Sequence, residues 1–332
     1  MRAWMFGATM GLLLAAAGAA QAAVGYHVVA RIAGPDGGWD YVRVNPHTRQ
    51  VLVTRGGSVM AVDLADGHVT AGLAPGLREH VALPVNGGTE LLVTNGGTDT
   101  AVFVDATTGA ALATVATGKG PDAATVDPRS GLVLVMAHAG GEVTLVEPKA
   151  RRAVGNIAIG GALEEAVADG AGRAFVNVED RNEIAVLDLA RRKLSARWPL
   201  PGCDGPTGLA YDPQDRLLIA ACDGSTALVR TDTGRVIQTL PTGKGADGAA
   251  YDARRRLAFV PAGRDGTLAV IGFARGTGRI LEKVPTQKGA RTLAVDEKTG
   301  WLYLPSAEYA PATGGGRPTP IPGTFHVLVV AP

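Results

Sequence analysis

Short apolar runs separated by polar turns recur along the chain with a period of about 42 residues. Each repeat has an anchor, an Asn or Asp, followed by a polar turn and an apolar run, as in VNPHTRQVLV and YDPQDRLLIA. From the first anchor, Asn45, to the last, Asp296, there are 251 residues in six steps, which gives the period. The seven anchors are Asn45, Val85 (a degenerate copy), Asp127, Asp169, Asp212, Asp252 and Asp296.

Each repeat predicts four short strands. The first strand is rich in small residues (DAATV, DGAAY), the second is the apolar run after the anchor, and two more follow Gly, Asp or Asn turns. No repeat carries an apolar stripe with the 3.6-residue helical period, which excludes helical solenoids. This spacing is typical of β-propellers. We therefore predict an all-β fold, a seven-bladed β-propeller with four-stranded antiparallel blades.

The last repeat lacks its fourth strand, whereas the N-terminal segment Tyr26–Ile32 alternates as a strand and has no repeat of its own. We predict that this strand completes the last blade and closes the ring, because closure removes two open sheet edges. Residues 23–332 then form one domain. Its blades lie near 37–76, 77–118, 119–160, 161–202, 203–243, 244–287 and 288–332, the last with 26–33.

The first residues predict export. Arg2 precedes a short apolar run that ends in Ala20-Gln21-Ala22, which is typical of a signal peptide and its cleavage site. The alternative, a transmembrane anchor, is disfavoured by the short run and its small final residues. We expect cleavage of residues 1–22, no later membrane span, and a periplasmic or secreted protein.

Charge and composition argue against nucleic-acid binding. Lys and Arg total 32 against 31 acidic residues, and aromatic residues make up 5% of the chain. The protein therefore has neither a basic excess for phosphates nor many rings on which bases stack.

The phrase Gly-Lys-Gly resembles part of a phosphate-binding loop, but that motif needs Gly-x-x-x-x-Gly-Lys-Ser/Thr and a following helix. Here the phrase precedes a predicted strand at 118–120 and at 243–245, and Lys-Gly recurs at 288–289. Because it falls between consecutive repeats each time, we interpret it as a structural junction between blades.

Motifs along the mature chain resemble those of a known family. They are LLVTN at 91–95, the Gly-Lys-Gly-x-Asp junctions, FVNVED at 175–180, PTGLA at 206–210, GART at 289–292 and PGTFHVL at 322–328. With these the chain resembles the bacterial secreted YVTN-type (YncE-like) seven-bladed propellers over nearly its whole mature length. The resemblance implies the fold but no settled reaction, so function must be argued from the site.

A candidate site lies at one end of the central channel, where the blade junctions and the loops between second and third strands share a face. The residues five positions before each anchor form a predicted ring: Asp40, His80, Asp122, Glu164, Thr207, Asp247 and Arg291. Lys119, Lys244 and Lys288 lie just outside it. The loops add Arg55, Asn95, His138, Glu179, Asp223, Arg264 and Glu308. The alternative is that these side chains bind neighbouring blades and only hold the ring together.

The chemistry of this funnel favours binding over catalysis. Its carboxylates suit a hard cation such as calcium, but Arg291 and the nearby lysines would repel one. No cysteine and histidine cluster has zinc spacing, and no haem-attachment motif occurs, so no cofactor is predicted. No Gly-x-Ser-x-Gly elbow is present either.

We therefore predict a monomer that binds a small ligand or an envelope or secreted partner protein at the funnel. The main alternative is a hydrolase, lactonase or lyase that uses carboxylates such as Asp122 and Glu164 as acid and base. A purely structural envelope protein is the third reading.

Cys203 and Cys222 are the two cysteines of the chain. An even number in an exported protein favours a disulfide, and the predicted hairpin brings the two positions close together. We predict that they are bonded, the alternative being two free thiols.

The segment Glu308–Gly323 replaces a loop that is only four to six residues long in the other repeats. Loops longer than about 12–15 residues are commonly functional or disordered. We predict a lid or docking arm over the funnel, with Glu308 at its base, the alternative being a surface tail without a role.

Overall fold

The computed structural model describes residues 24–311 and 319–332. Its strands form seven four-stranded antiparallel sheets arranged as blades in a ring, which confirms the predicted propeller. The predicted signal peptide lies outside the described residues. Within the described ranges, no helix has the length and apolar character needed to cross a membrane.

Blades 1 to 6 are each built from four consecutive strands, numbered from the channel outwards. Blade 1 has β2 Val42–Asn45, β3 Gln50–Thr54, β4 Ser58–Asp63 and β5 Val69–Pro75. Blade 2 has β6 Glu79–Val85, β7 Glu90–Asn95, β8 Thr100–Asp105 and β9 Ala111–Ala116. Blade 3 has β10 Pro121–Val126, β11 Val133–Ala137, β12 Glu142–Glu147 and β13 Arg152–Ala158.

Blade 4 has β14 Leu163–Ala168, β15 Arg173–Val178, β16 Glu183–Asp188 and β17 Lys193–Pro199. Blade 5 has β18 Leu209–Asp212, β19 Leu217–Ala221, β20 Gly224–Arg230 and β21 Val236–Gly243. Blade 6 has β22 Ala250–Asp252, β23 Leu257–Ala262, β24 Thr267–Ala274 and β25 Thr277–Pro285. Two short 3-10 turns occupy Asn86–Gly88 and Glu179–Arg181.

Blade 7 joins the two ends of the described chain. Its strands are β26 Ala294–Asp296, β27 Trp301–Ser306 and β28 His326–Ala331, and β1 His27–Ala33 is its outermost strand. β1 runs antiparallel to β28, with His27 opposite Ala331 and Ala33 opposite His326. The predicted closure by the N-terminal strand is therefore confirmed.

The burial pattern explains why the second strand of each repeat reads as an unbroken apolar run. Every residue of β11 and of β23 is buried, because a middle strand is covered by the neighbouring blade on each face. Most residues of the outer strand β9 are exposed instead. Phe175 and Phe259, both in second strands, are fully buried and fill the space between blades.

The anchors close the turn between first and second strands, at the end of the channel opposite the candidate site. Asp252 is fully buried, and its carboxylate accepts hydrogen bonds from the main-chain N–H groups of Arg254 (2.9 Å) and Arg255 (3.0 Å). The guanidinium of Arg255 donates to the same carboxylate at 2.7 Å. Short polar side chains that bind nearby N–H groups in this way favour turns over strands.

One anchor also ties blade 7 to blade 1. The guanidinium of Arg49 donates to both carboxylate oxygens of Asp296, at 3.1 and 2.9 Å. Burial works to raise the pKa of Asp296, but the hydrogen bonds from Arg49 and Thr299 outweigh it and lower that pKa. This bidentate pair fastens the ring where the two ends of the chain meet.

The Gly-Lys-Gly segments are blade junctions, as expected. The first lies between β9 and β10, and the second runs from the last residue of β21 towards β22. Gly120 and Gly245 have φ values of 62° and 76°, in the left-handed region that favours glycine. Their N–H groups donate to Asp99 (2.7 Å) and Asp223 (3.0 Å) of the preceding blade. These amides therefore serve the fold and not a phosphate.

Cys203 and Cys222 form a disulfide, which confirms the predicted pairing. Their Cα atoms are 5.2 Å apart, and both residues are buried. The bond fastens the segment before β18 to the end of β19.

Candidate functional site

Main-chain contacts between blades hold the predicted ring residues in position around the channel mouth. The Oγ1 of Thr54, at the end of β3, donates to the carbonyl of His80 in the next blade at 2.6 Å. Thr94, at the end of β7, does the same for the carbonyl of Asp122 at 2.8 Å. A second strand in one blade thus fixes an inner-strand residue of the next.

Three acids and two histidines from blades 1 to 4 converge at the mouth. The Nδ1 of His80 donates to Oδ2 of Asp40 at 2.6 Å and lies 3.5 Å from Oδ1 of Asp122. His138, from the loop between β11 and β12, places its Nδ1 3.0 Å from Oε1 of Glu164. We call these five residues the acid–histidine cluster. The structure therefore brings together five predicted site residues from four blades, with Asp122 between the two histidines.

Two atoms of the acid–histidine cluster are shielded from solvent and lack a hydrogen-bond partner: Oδ1 of Asp122 and Nδ1 of His138. The His138 nitrogen is close enough to Glu164 for an ion pair, although the geometry of a hydrogen bond is not met. Unpartnered buried polar atoms are uncommon in proteins and call for an explanation.

Crowding changes the protonation of the acid–histidine cluster. Burial and the nearby charge of Asp40 raise the pKa of Asp122 to about 8. Burial also raises the pKa of Glu164. The contact with Glu164 raises the pKa of His138 to about 9. Burial works to lower the pKa of His80, but the hydrogen bond to Asp40 and the charge of Asp122 outweigh it and raise that pKa.

The cluster contains two sets of three side chains with metal-ligating atoms within 4.8 Å of one another. The first set is Asp40, His80 and Asp122, and the second is Asp122, His138 and Glu164. Asp122 belongs to both sets.

Asp247 and Arg291 form a separate ion pair in the ring. The Nε of Arg291 donates to Oδ2 of Asp247 at 2.8 Å, and its Nη2 donates to the carbonyl of Trp39 at 2.8 Å. Burial raises the pKa of Asp247 to about 7, although the charge of Arg291 opposes that change. This guanidinium is thus engaged by its own partners and does not join the acid–histidine cluster.

Sequence reasoning missed an ion pair that lies deeper in the channel. The Nη2 of Arg43 in blade 1 is 2.8 Å from Oε1 of Glu165 in blade 4, and those blades are not neighbours. Leu209 donates its N–H to the other oxygen of Glu165 at 3.1 Å. The pair therefore spans the channel below the mouth, beside the buried Tyr41. The adjacent acids Glu164 and Glu165 at the start of an inner strand were the only available signal.

The remaining predicted residues have other contacts. The Oγ1 of Thr207 donates to the carbonyl of Ala246, and Oδ1 of Asn95 accepts from the N–H of Leu77. Arg264 and Asp223 form a solvent-exposed ion pair.

Arg55 also serves the fold, because its guanidinium donates to the main chain of Pro35 (2.6 Å) and Gly38 (2.8 Å). Glu179 lies near His138 and contributes to its raised pKa.

The long loop begins and ends in a small antiparallel bridge. Tyr309 pairs with Pro320, and Ile321 donates its N–H to the carbonyl of Glu308 at 2.8 Å. Tyr309 also packs on Trp39 near the ring, with centroids 6.2 Å apart, whereas Glu308 is exposed. Residues 312–318 lie outside the described part of the chain, so the predicted lid stays a prediction.

A cavity of about 170 Å³ opens beside the acid–histidine cluster. His80, Asp122 and His138 line it together with the exposed side chains of Arg78 and Lys119. A cavity of this volume admits an ion with its waters or the tip of a small molecule, since a water occupies about 30 Å³ in the liquid. A larger hollow beside the disulfide, about 800 Å³, contains none of the ring residues.

Comparisons with known proteins support the fold alone. No protein-family model and no curated protein matches the chain. A solved structure of Kuenenia stuttgartiensis hydrazine synthase matches with a TM-score of 0.70 and 14% identity, covering 85% of this chain and 95% of that one. A chain of a mitotic checkpoint complex matches with a TM-score of 0.72 and 12% identity, covering 92% and 95%. U3-55K matches with a TM-score of 0.71 and 12% identity, covering 90% and 97%.

Proposed function

We propose that this protein binds a small, positively charged ligand at the mouth of its channel, without chemistry of its own. The observation that carries the proposal is the crowding of acids in the ring. Four of its seven residues are acids, Asp40, Asp122, Glu164 and Asp247, and its one guanidinium is already engaged. Burial raises the pKa of Asp122 to about 8 and that of Asp247 to about 7, and a bound cation replaces the protons that these carboxyl groups retain near neutral pH.

The depth and size of the mouth favour a small ligand. The cross-channel pair of Arg43 and Glu165 lies below it, and the adjoining cavity has a volume of about 170 Å³. An inorganic cation, an alkylammonium group or a guanidinium group fits these limits. The same mouth can also accept the charged end of a Lys or Arg side chain of a partner protein. This matches the partner protein that the sequence predicts as an alternative to a small ligand.

Calorimetric titration with putrescine, guanidinium and divalent cations tests this proposal. We expect at least one of these cations to bind, and Asp122→Asn to weaken that binding at least tenfold. Asp66→Asn is the matched control, because Asp66 is exposed in a turn between outer strands. Equal binding by the two variants, or no binding of any cation, contradicts the proposal.

A second candidate function is acid–base catalysis of the hydrolase or lyase type. The specific observation in its favour is the 2.6 Å hydrogen bond between Asp40 and His80 beside Asp122, whose pKa is raised to about 8. A carboxyl group that holds its proton near neutral pH can act as a general acid, and an Asp–His pair as a base. Turnover of lactone or ester substrates that His80→Gln abolishes would establish it.

We also propose export and membership of the YVTN-type, YncE-like family. The disulfide and the signal-peptide pattern support export, since disulfides persist in oxidising compartments. The junctions and motifs quoted from the sequence support the family. Mass spectrometry of protein from expressing cells should give a mature N-terminus at Ala23, and an intact Met1 on exported protein contradicts the cleavage.

A further inference from the structure

We propose that the acid–histidine cluster is a binuclear site for divalent first-row transition-metal ions, with Asp122 bridging the two ions. This inference rests on the proposed function and specifies the cation. Asp40, His80 and one oxygen of Asp122 hold the first ion. Glu164, His138 and the other oxygen of Asp122 hold the second.

The positions of the ligand atoms support this assignment. In each set of three they lie within 4.8 Å of one another. Zinc-type ions bind nitrogen and oxygen at about 2.0–2.2 Å, so tetrahedral ligands lie about 3.4 Å apart. Side-chain movements of about 1 Å therefore bring each set onto an ion. Paired catalytic ions are typically about 3.5–4 Å apart, a spacing that one carboxylate can bridge.

The types of ligand select the class of metal. Each set offers one imidazole nitrogen and two carboxylates. Imidazole suits Zn, Cu, Fe and Ni, whereas calcium takes six to eight oxygen ligands. Calcium, which the acids of the ring suit, is thus disfavoured. The reason is that a histidine nitrogen belongs to each set of ligands.

An independent observation points to a ligand here. Oδ1 of Asp122 and Nδ1 of His138 are shielded from solvent and have no hydrogen-bond partner in the described structure. Asp122 is shared by both sets and His138 belongs to the second, and metal coordination satisfies both atoms. A cluster that served only to join blades is expected to satisfy these atoms within the protein.

The surroundings tolerate added positive charge. Arg291 is held by Asp247 and by the carbonyl of Trp39. Arg78 and Lys119 line the cavity, but both are exposed and can turn towards water. Three carboxylates remain to offset the charge of the ions.

The scaffold holds the ligands from behind. Thr54 and Thr94 fix the carbonyls of His80 and Asp122, as described above. Asp40 is fixed similarly, because the Oγ1 of Thr292 in blade 7 donates to its carbonyl at 2.9 Å. Three of the five ligand residues are thus held through their main chain by neighbouring blades, which favours metal affinity.

The test uses the full mature protein, stripped with a chelator and titrated with Co²⁺ and Zn²⁺. We expect two ions to bind per chain. Calorimetry and the visible absorption of bound Co²⁺ measure this binding. Asp122→Asn should lower affinity at both sites at least tenfold. His80→Gln and His138→Gln should each leave one ion bound. His68→Gln is the matched control, since His68 is an exposed residue in an outer turn.

Several results overturn the proposal. They are the absence of saturable metal binding, one ion per chain, or equal metal affinity in the Asp122→Asn and His68→Gln variants. If Asp122→Asn does not fold, His138→Gln decides, because His138 lies in a loop and is partly exposed. Binding of putrescine or guanidinium that needs Asp122, without metal binding, overturns the metal site and leaves the proposed function standing. Failure of every cation overturns both.

Discussion

In blade 6 the inner strand has an aspartate near each of its two ends, and the two carboxylates are in opposite situations. Asp252, at the turn end, is fully buried and accepts two main-chain N–H groups and a guanidinium. Asp247, at the channel mouth, has one guanidinium partner and a pKa raised to about 7 by burial. Blade 3 repeats the contrast, with Asp127 well bonded at the turn and Asp122 unsatisfied at the mouth.

The comparison shows that the same residue type, repeated with the same period, can have two different roles. At the turn end the carboxylates replace missing main-chain partners, so they stabilise the fold. At the mouth they crowd together without enough donors, which costs stability and leaves the capacity to bind a cation. The number of donors around an acid, which differs between the turn end and the mouth, separates the two roles.

The largest expected effect is on the turn end. Asp252→Ala removes the acceptor of two main-chain N–H groups and one of the acceptors of the Arg255 guanidinium, and unsatisfied buried groups cost about 1–3 kcal/mol each. We expect the free energy of unfolding to fall by about 3 kcal/mol, measured by urea denaturation. Cation binding at the mouth should be unchanged. A loss below about 1 kcal/mol would remove the distinction between the two ends.

The next effect concerns the bidentate pair that joins blades 7 and 1. Arg49→Ala removes two hydrogen bonds from the buried carboxylate of Asp296. Because hydrogen bonds to charged groups contribute about 1.5–3 kcal/mol, and Arg49 is partly exposed, we expect a loss of about 1–2 kcal/mol. Arg254→Ala, at an exposed position in the blade 6 turn, is the control. Equal thermal stability of the two variants contradicts this role.

A smaller effect should appear at the mouth, as a pH dependence. The pKa of Asp247 is raised from its ordinary 3.8 to about 7 in the folded protein. Between these values the unfolded chain has lost the proton that the folded protein keeps, so stability declines as the pH rises across this window. Asp247→Asn cannot titrate and should remove about 1 kcal/mol of that decline, after allowance for its partial exposure.

Urea denaturation at pH 5 and pH 8, in the presence of a chelator, measures this difference. Other mouth acids with raised pKa values contribute in the same direction, so some decline should remain in the variant. The Asp66→Asn control should keep the full decline. A variant that declines as much as the wild type would show that Asp247 is not perturbed.

The smallest expected effect is a gain. Arg216 sits in a turn with a φ of 53°, where the corresponding residues of blades 3 and 7 are Gly131 and Gly300. A left-handed residue other than glycine costs about 1–2 kcal/mol, part of which the greater freedom of unfolded glycine offsets. Arg216→Gly should therefore raise the free energy of unfolding by about 0.5 kcal/mol, whereas Arg216→Ala should not. Mouth binding should again be unchanged.

Much of the architecture was predictable because the apolar runs and turns of each repeat predict its own strands. The period predicted seven blades, the unassigned N-terminal strand predicted the closure, and the hairpin of blade 5 predicted the disulfide. The rule of five residues before each anchor also placed Asp40, His80 and Asp122 at one end of the channel. The blades and the disulfide follow from local strand geometry, whereas the closure followed from a last repeat that lacks one strand.

The sequence could not predict which mouth residues meet. Arg43 and Glu165 belong to blades that are far apart in the chain. Their side chains meet because the ring places them across the channel from each other. The period likewise gives the face on which a residue lies but not where its side chain turns. Arg55 was expected in the funnel loops, yet it turns to the main chain of 35–38 and packs over the ring of Phe325.

The pairing of β1 with β28 sets an order of events during synthesis. β1 precedes every other described strand in the chain, and its partner β28 follows only after the strands of six blades. Until then β1 has no partner strand, and unpaired strand edges are prone to pair with other chains. Nearly the whole protein must therefore be synthesised before the ring can close. Until then the unpaired edge of β1 can pair with other chains.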